Sequence, residues 1–168
     1  MAEALSPALP NALEEAAHAL LTECCQREIM LATAESCTGG LLASLLTDVP
    51  GCSHAFDRGF VTYTNDAKHD LLGIASDLLD DPGPVSEVVA RAMASGALSR
   101  SKADLAVSIT GYADSNPENG GLVHFGAASR HGGVSHRAER FGPVGRAQVR
   151  LECLRVAVEM LDAKMRGG

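Results

Sequence analysis

The spacing of apolar positions changes from segment to segment along the chain. From Asn11 to Arg27, Leu13, Ala16, Ala17, Leu20, Leu21 and Cys24 recur at helical intervals behind Pro10 and Asn11, which predicts an amphipathic first helix. Ile29 to Thr33 is a short continuous apolar run, the pattern of a buried strand, whereas Thr38 to Asp48 has helical length and ends at the turn residues of "VPGCS". The β-branched and aromatic segment "RGFVTYT" predicts a second strand, and "NDAKHDLLG" a short helix closed by Gly73. After the Pro/Gly break "DDPGPV", Ser86 caps a helix to about Arg100 with Val89, Ala90, Met93, Gly96 and Ala97 on its apolar face. "ADLAVSIT" predicts a third strand that runs into the polar loop "GYADSNPENGG". "LVHFGAAS" and "VSHRAERF", joined by "RHGG", predict an antiparallel hairpin. A last helix, from about Val144 to Met165, aligns Val149, Cys153, Val156, Ala157, Met160 and Leu161.

Helices alternating with strands and ending in a hairpin predict an α/β or α+β fold: a three-layer sandwich around a mixed sheet of five or six strands. The 168 residues suffice for one domain, 1–168, with no internal repeat or linker. Ala, Val and Leu dominate a 46% hydrophobic fraction without Trp, which suits close helix-on-sheet packing. The net charge of −7 and the lack of a basic run disfavour a nucleic acid partner, while leaving room for a compact basic pocket. Five cysteines (Cys24, Cys25, Cys37, Cys52, Cys153) without a C-x-x-C pair suggest neither a zinc site nor a disulfide framework, and fit a reducing cytoplasm. The N-terminus lacks the basic start of a secretory leader and no apolar stretch reaches bilayer length, so a soluble, cytoplasmic protein without a membrane partner is expected.

The polar cluster "AESCTGG" sits between two apolar runs, where a strand turns into a helix. The N–H groups of Cys37 to Gly40 would there face an anion or oxyanion, and Ser36 just before them could attack a carbonyl. The plain alternative is that Ser36 or Thr38 caps the helix and the glycines permit close packing. Cys37 is a second candidate nucleophile, without a histidine at a recognisable spacing. Tyr63 ends the second strand, and Lys68 lies five residues on. Lys68 is either a base or anion clamp, or a surface lysine paired with Asp66 or Asp70, which its sequence context alone favours. Thr110 and Gly111 close the central strand, where α/β sites form. Arg146, in line with the apolar stripe of the last helix, needs an anion, a carboxylate such as Glu139 or Glu35, or solvent; Arg150 shares that anion or pairs at the surface. The six histidines show no metal pattern, and nothing calls for a cofactor.

Taken in order, "TAESCTGGLLASLLTDVPGCS", "RGFVTYTNDAKHDLLGI", "GPVSEVVARAMASGAL" and "ADLAVSITG" resemble the CinA C-terminal domain family over nearly the whole chain. The resemblance implies deamidation of nicotinamide mononucleotide to nicotinate mononucleotide and ammonia, which recycles pyridine nucleotides. It also implies a stand-alone form, without the N-terminal molybdopterin-binding-like domain of many members, and a homo-oligomer, dimeric or larger. Carried over by motif, it makes Ser36 the nucleophile and Tyr63 and Lys68 its polar partners. Glu35, Thr38, Gly39, Gly40, Thr110 and Gly111 then shape the substrate site, and Arg146 and Arg150 suit the substrate phosphate. The chain departs from the family where a glycine-rich loop of the form "GIAGPGGG" and a Lys-Pro are expected: it reads "GYADSNPENGGLVHF". Tyr112, Asp114 and Glu118 do not wrap a phosphate as glycines do, and the two carboxylates would repel one they faced. This departure favours a second reading, a non-catalytic or altered-specificity nucleotide- or partner-binding module of the same fold.

Overall fold

The computed structural model of the chain describes residues 9–167. Residues 1–8, on which part of the leader reading rests, lie outside the described residues, as does Gly168. Helix α1 (Asn11–Gln26) buries Leu13, Ala17, Leu20, Leu21 and Cys24, while Ala16, expected on that face, is exposed. It leads into β1 (Leu31–Glu35), a strand buried on both faces. Then come α2 (Leu41–Leu46), a 3₁₀ turn at Ser53–Ala55, β2 (Phe56–Val61) and α3 (Asn65–Leu72), which closes on Gly73 in the left-handed region. The chain continues through α4 (Ser76–Asp80), α5 (Glu87–Ser99), β3 (Leu105–Gly111), β4 (Leu122–Ser129), β5 (Gly133–Arg140) and α6 (Arg146–Met165).

The five strands form one mixed sheet in the order β2-β1-β3-β4-β5. Strand β1 is parallel to both β2 and β3, and β4 and β5 are antiparallel to their neighbours. Leu31, Val107, Ile109, Val123 and Phe125 pack one face of the sheet against α1, α2 and α6. Ala32, Ala34, Ala106 and Ala128 pack the other against α5, with Leu72, Ile74 and Leu79 beneath it. Small residues on this second face let α5 come close. A Cβ on Gly126 would stand 2.5 Å from the carbonyl oxygen of Ala90, so a side chain there would push helix from sheet. Ser108 stitches the same place, donating to the Ala90 carbonyl (2.6 Å) and accepting from the Gly126 N–H (3.0 Å). The expected three-layer α/β sandwich is therefore the observed fold.

Several boundaries move. The first strand, expected at Ile29–Thr33, is displaced to Leu31–Glu35 because Glu35, polar in sequence, is a fully buried strand residue. Helix α2 starts at Leu41 rather than Thr38, since Gly39 and Gly40 adopt φ values of 60° and 100° and turn the chain before the helix begins. The second strand, expected over "RGFVTYT", ends at Val61, which leaves Tyr63 beyond it. Helix α4 falls in a segment for which the apolar pattern gave no helix. Among the described residues, no helix is long and apolar enough to cross a membrane.

Topology decides where a ligand can sit. From β1 the chain passes by way of α2, on one face, to β2 at the edge. It then returns through α3, α4 and α5, on the other face, to β3 on the opposite side of β1. The strand order thus reverses at β1, and a crevice forms beyond the C-terminal ends of β1, β2 and β3, the usual ligand position in open α/β sheets. Ser36, Tyr63 and Tyr112 each follow closely on one of those three ends.

Candidate active site

The turn after β1 is organised by Glu35. Its carboxylate accepts from the Thr38 hydroxyl (2.6 Å) and from the N–H groups of Gly40 (3.2 Å), Leu42 (3.1 Å) and Ala43 (2.8 Å). The free amides at the start of α2 are thereby met by the protein's own anion. Glu35, expected to touch substrate, is instead fully buried and engaged with backbone. The expected run of four free donors shrinks as well: Gly40 N–H goes to Glu35 and Gly39 N–H to the Ser36 carbonyl (3.1 Å). The N–H groups of Cys37 and Thr38 have no hydrogen-bond partner among the described residues. Neither Ser36 nor Thr38 caps α2, because Gly40 occupies the N-cap and Thr38 donates its hydroxyl to Glu35.

Ser36 is fixed by its own N–H, which donates to Ile109 on β3 (3.0 Å). Its hydroxyl meets Lys68. Helix α3 is capped by Thr64, whose hydroxyl accepts from the Ala67 N–H (3.0 Å), and the next residue, Lys68, falls on the inner side of the helix. There Lys68 is only 2% exposed. Its Nζ donates to Ser36 Oγ (3.1 Å) and to the Thr62 carbonyl (2.9 Å). The surface lysine favoured by sequence context alone is thus overturned: among the described residues Lys68 has no ion pair with Asp66 or Asp70, and its neighbours are a hydroxyl and a carbonyl. Burial lowers its pKa from the ordinary lysine value, opposed in part by the neighbouring Cys37 thiol. A lysine amine that is easily neutralised and touches a serine hydroxyl is an arrangement for activating that hydroxyl.

The dyad opens into a pocket of about 290 Å³, bordered by Tyr63, Asn65, Thr110, Tyr112, Asp114 and Arg146 among others. This lies just below the usual range for small-molecule sites, roughly 300–1,000 Å³. Tyr63 stands on the rim, 64% exposed, with no hydrogen bond to Ser36 or Lys68. Thr110 is buried and donates to the Pro84 carbonyl (2.7 Å), which holds the segment before α5 against the end of β3. Gly111 borders the pocket beside it. Arg146 opens α6 as an exposed residue that borders the pocket. Glu139, one of its expected partners, pairs instead with Arg137, and Glu35 is spent on α2. Arg150 differs from expectation: its Nε donates to the Cys37 carbonyl (2.9 Å). It grips the peptide unit that carries the free Thr38 N–H, and it stands against Gly39, where an added Cβ would lie 3.8 Å from its guanidinium.

Cys37 turns its thiol into the core, 3% exposed, toward Cys153. A hydrogen bond between these thiols lowers the pKa of Cys37 and, with burial, raises that of Cys153. Cys37 also borders the pocket, but a thiol this deeply buried is a poor nucleophile for a substrate in it. No group of three or more His, Cys, Asp or Glu among the described residues is arranged to hold a metal ion. A larger groove of about 640 Å³ between α1 and α6 is lined by residues such as Leu13, Leu20, Leu151 and Val158 and offers no nucleophile. The Ser36–Lys68 contact borders the smaller pocket.

Sequence reasoning missed Asn65, Pro84 and Val85, which also border the pocket. Asn65 follows the capping Thr64, so its place could be inferred once Lys68 is known to point inward. Pro84 and Val85 carried only the signal of a chain break.

A match to the CinA C-terminal domain family spans residues 13–165. A relative from Symbiobacterium thermophilum is 52% identical over 124 residues, which make up 70% of this chain and 28% of that protein. The chain thus spans under a third of that relative's length. A protein of Enterobacter agglomerans named nicotinamide-nucleotide amidohydrolase PncC is 47% identical over 125 residues, covering 71% of this chain and 74% of that one. The crystal structure of competence/damage inducible protein CihA from Agrobacterium tumefaciens superposes with a TM-score of 0.90 at 46% identity, covering 94% of this chain and 98% of that one. With a match that runs from α1 to the end of α6 and a solved fold that overlays almost throughout, the chain belongs to the CinA C-terminal domain family.

Proposed function

We propose that the protein is an amidohydrolase that deamidates nicotinamide mononucleotide to nicotinate mononucleotide and ammonia, with Ser36 as nucleophile. The observation that carries this reading is the buried contact between Lys68 Nζ and Ser36 Oγ at the floor of an open pocket. The name of the Enterobacter relative supports the substrate.

The chemistry follows from the donors and acceptors in place. Neutral Lys68 has two N–H bonds and a lone pair; with one N–H held by the Thr62 carbonyl, the lone pair can take the Ser36 proton. Ser36 Oγ then bonds to the carboxamide carbon, and the C=O electrons move onto oxygen. The free N–H groups of Cys37 and Thr38, adjacent to Ser36, are the donors available to that oxyanion. Collapse expels the amide nitrogen, which takes the proton from Lys68 and leaves as ammonia. Water, deprotonated by Lys68, attacks the ester carbon; the C–Oγ bond breaks and Ser36 recovers its proton. Arg146 at the pocket wall serves the phosphate, and Arg150 steadies the Cys37–Thr38 peptide.

The binding-module reading keeps one supporting observation, the unusual 112–121 loop with Tyr112 at the pocket. Yet the pocket stays open with both Tyr112 and Arg146 on its walls, which favours the enzyme. A cytoplasmic homo-oligomer acting on a small nucleotide belongs to the same proposal, on the strength of the resemblance and of a net charge of −7 that disfavours nucleic acid. The test is ammonia release from nicotinamide mononucleotide, with nicotinate mononucleotide identified by chromatography. Folded protein that releases neither product sinks the substrate and leaves the module.

A further inference from the structure

We propose that Tyr112 and Asp114 make the pocket selective for a zwitterionic pyridinium nucleotide by reading the positive charge of the ring, while Arg146 takes the phosphate. This rests on the deamidase reading above and names the feature of the substrate that the site recognises.

Asp114 and Arg146 border the same pocket of about 290 Å³, one from the loop after β3 and the other from the first turn of α6. Among the described residues, neither takes part in an ion pair, with the other or with any other group. Besides Lys68 at the floor, which has no ion pair either, the walls present one uncompensated charge of each sign, and such walls complement a ligand that carries both charges apart. Nicotinamide mononucleotide is such a ligand, with a cationic ring and a phosphate separated by ribose. Glu118 does not border the pocket, so the loop supplies a single negative charge there.

The sequence contains two tyrosines, and both border this pocket. The face of an aromatic ring attracts a cation through its quadrupole, and a flat pyridinium also stacks on it.

The base of this loop is fixed. The Tyr112 N–H donates to the Leu122 carbonyl (2.9 Å) and its carbonyl accepts from Gly121 N–H (2.8 Å), which closes the base of the loop. Ala113 is rooted in the core at 4% exposure. Asp114 Oδ1 accepts from the Asn116 N–H (3.1 Å), Asn116 Oδ1 from the Glu118 N–H (2.9 Å), and the Asn116 carbonyl from the Gly120 N–H (2.7 Å). One oxygen of Asp114 is thus held by its own turn and the other is left for a ligand, an arrangement that lowers the ordering cost of binding.

The experiment uses the Ser36→Ala protein, which binds without turning over, and compares calorimetric affinities for nicotinamide mononucleotide and its reduced dihydropyridine form. The two ligands share carboxamide, ribose and phosphate and differ in ring charge. The background protein should prefer the oxidised form. Asp114→Asn and Tyr112→Leu, each added to it, should cut that preference by about fivefold while the reduced form binds as before. An unchanged preference, or equal weakening of both ligands, overturns the inference, and it does so alone if the wild-type protein releases ammonia from the mononucleotide. Failure of the Ser36→Ala protein to bind either form, with no ammonia release by the wild type, overturns the pyridine nucleotide reading and this inference with it.

Discussion

Lys68 Nζ lies 3.1 Å from Ser36 Oγ at 2% exposure, so a side chain that usually seeks water is held against a hydroxyl at the end of a central strand. Placing an amine there costs solvation, and its proton leaves more readily than an exposed lysine's.

Two pH effects follow from that lowered pKa. In the proposed mechanism the neutral amine is the working form, so kcat/KM should rise with pH through an apparent pKa below the ordinary 10.5 and then level. For stability, the folded chain releases the Lys68 proton at lower pH than the unfolded chain does. Between the lowered pKa and 10.5 the unfolded state binds more protons, and stability rises with pH across that window. Lys68→Met should lose about 10²–10⁴ in kcat and remove this part of both slopes. A Lys68→Met variant with the wild-type pH–rate profile would contradict the assignment.

The two arginines should separate kinetically. Arg146→Ala is expected to raise KM for the mononucleotide by about tenfold or more, and to abolish preference for it over the dephosphorylated riboside. Arg150→Ala, which frees the Cys37 carbonyl, should instead lower kcat by about tenfold or more for both substrates alike. Steady-state kinetics with the two substrates decides between these roles, and a phosphate-dependent loss in Arg150→Ala would return that residue to the substrate.

Glu35→Gln tests the turn. A glutamine has one acceptor oxygen for four donors, and its amide would face a backbone N–H. The loss of stability should be about 2–4 kcal/mol by urea unfolding. A change within about 0.5 kcal/mol, the scale of ordinary surface substitutions, would show that the carboxylate does not organise α2.

The hairpin carries a titrating pair away from the dyad. His124 Nδ1 is 3.0 Å from His136 Nε2, and His136 Nδ1 is 3.6 Å from Glu87. Burial lowers the pKa of both rings from 6.5, with Glu87 opposing and with Arg91 near His136 and Arg140 near His124 acting in the same sense as burial. As pH falls below 6.5 the unfolded chain takes up protons that the folded one still refuses, so stability falls. A His124→Asn/His136→Asn double variant should lose this slope in thermal unfolding between pH 7 and about pH 5; an unchanged slope would place its origin elsewhere.

The fold was legible where pattern and packing agree. Ser86 capping α5, Gly73 closing α3, the β4–β5 hairpin and the buried stripe of α6 all follow from local chemistry. The pattern failed where tertiary contacts reverse a residue's usual habit. Glu35 reads as a loop carboxylate because the four donors that bury it are assembled only when α2 folds back over it. Lys68 reads as a surface lysine because its partners, Ser36 and the Thr62 carbonyl, lie on two other strand ends. Arg150, matched to a substrate phosphate only by the resemblance and otherwise open between an anion and a surface pair, gave no sign of its bond to Cys37 because nothing in its own helix reveals that carbonyl. The position of Ser36 was legible because a polar cluster between two apolar runs marks a strand-to-helix junction.

The most direct test of the central claim is ammonia release from nicotinamide mononucleotide by the wild-type, Ser36→Ala and Cys37→Ala proteins side by side, each checked for folding by circular dichroism. Turnover is expected in the wild type, with a loss of at least about 10³-fold in Ser36→Ala and substantial activity in Cys37→Ala. Turnover that survives in Ser36→Ala, or that vanishes only in Cys37→Ala, would contradict that claim.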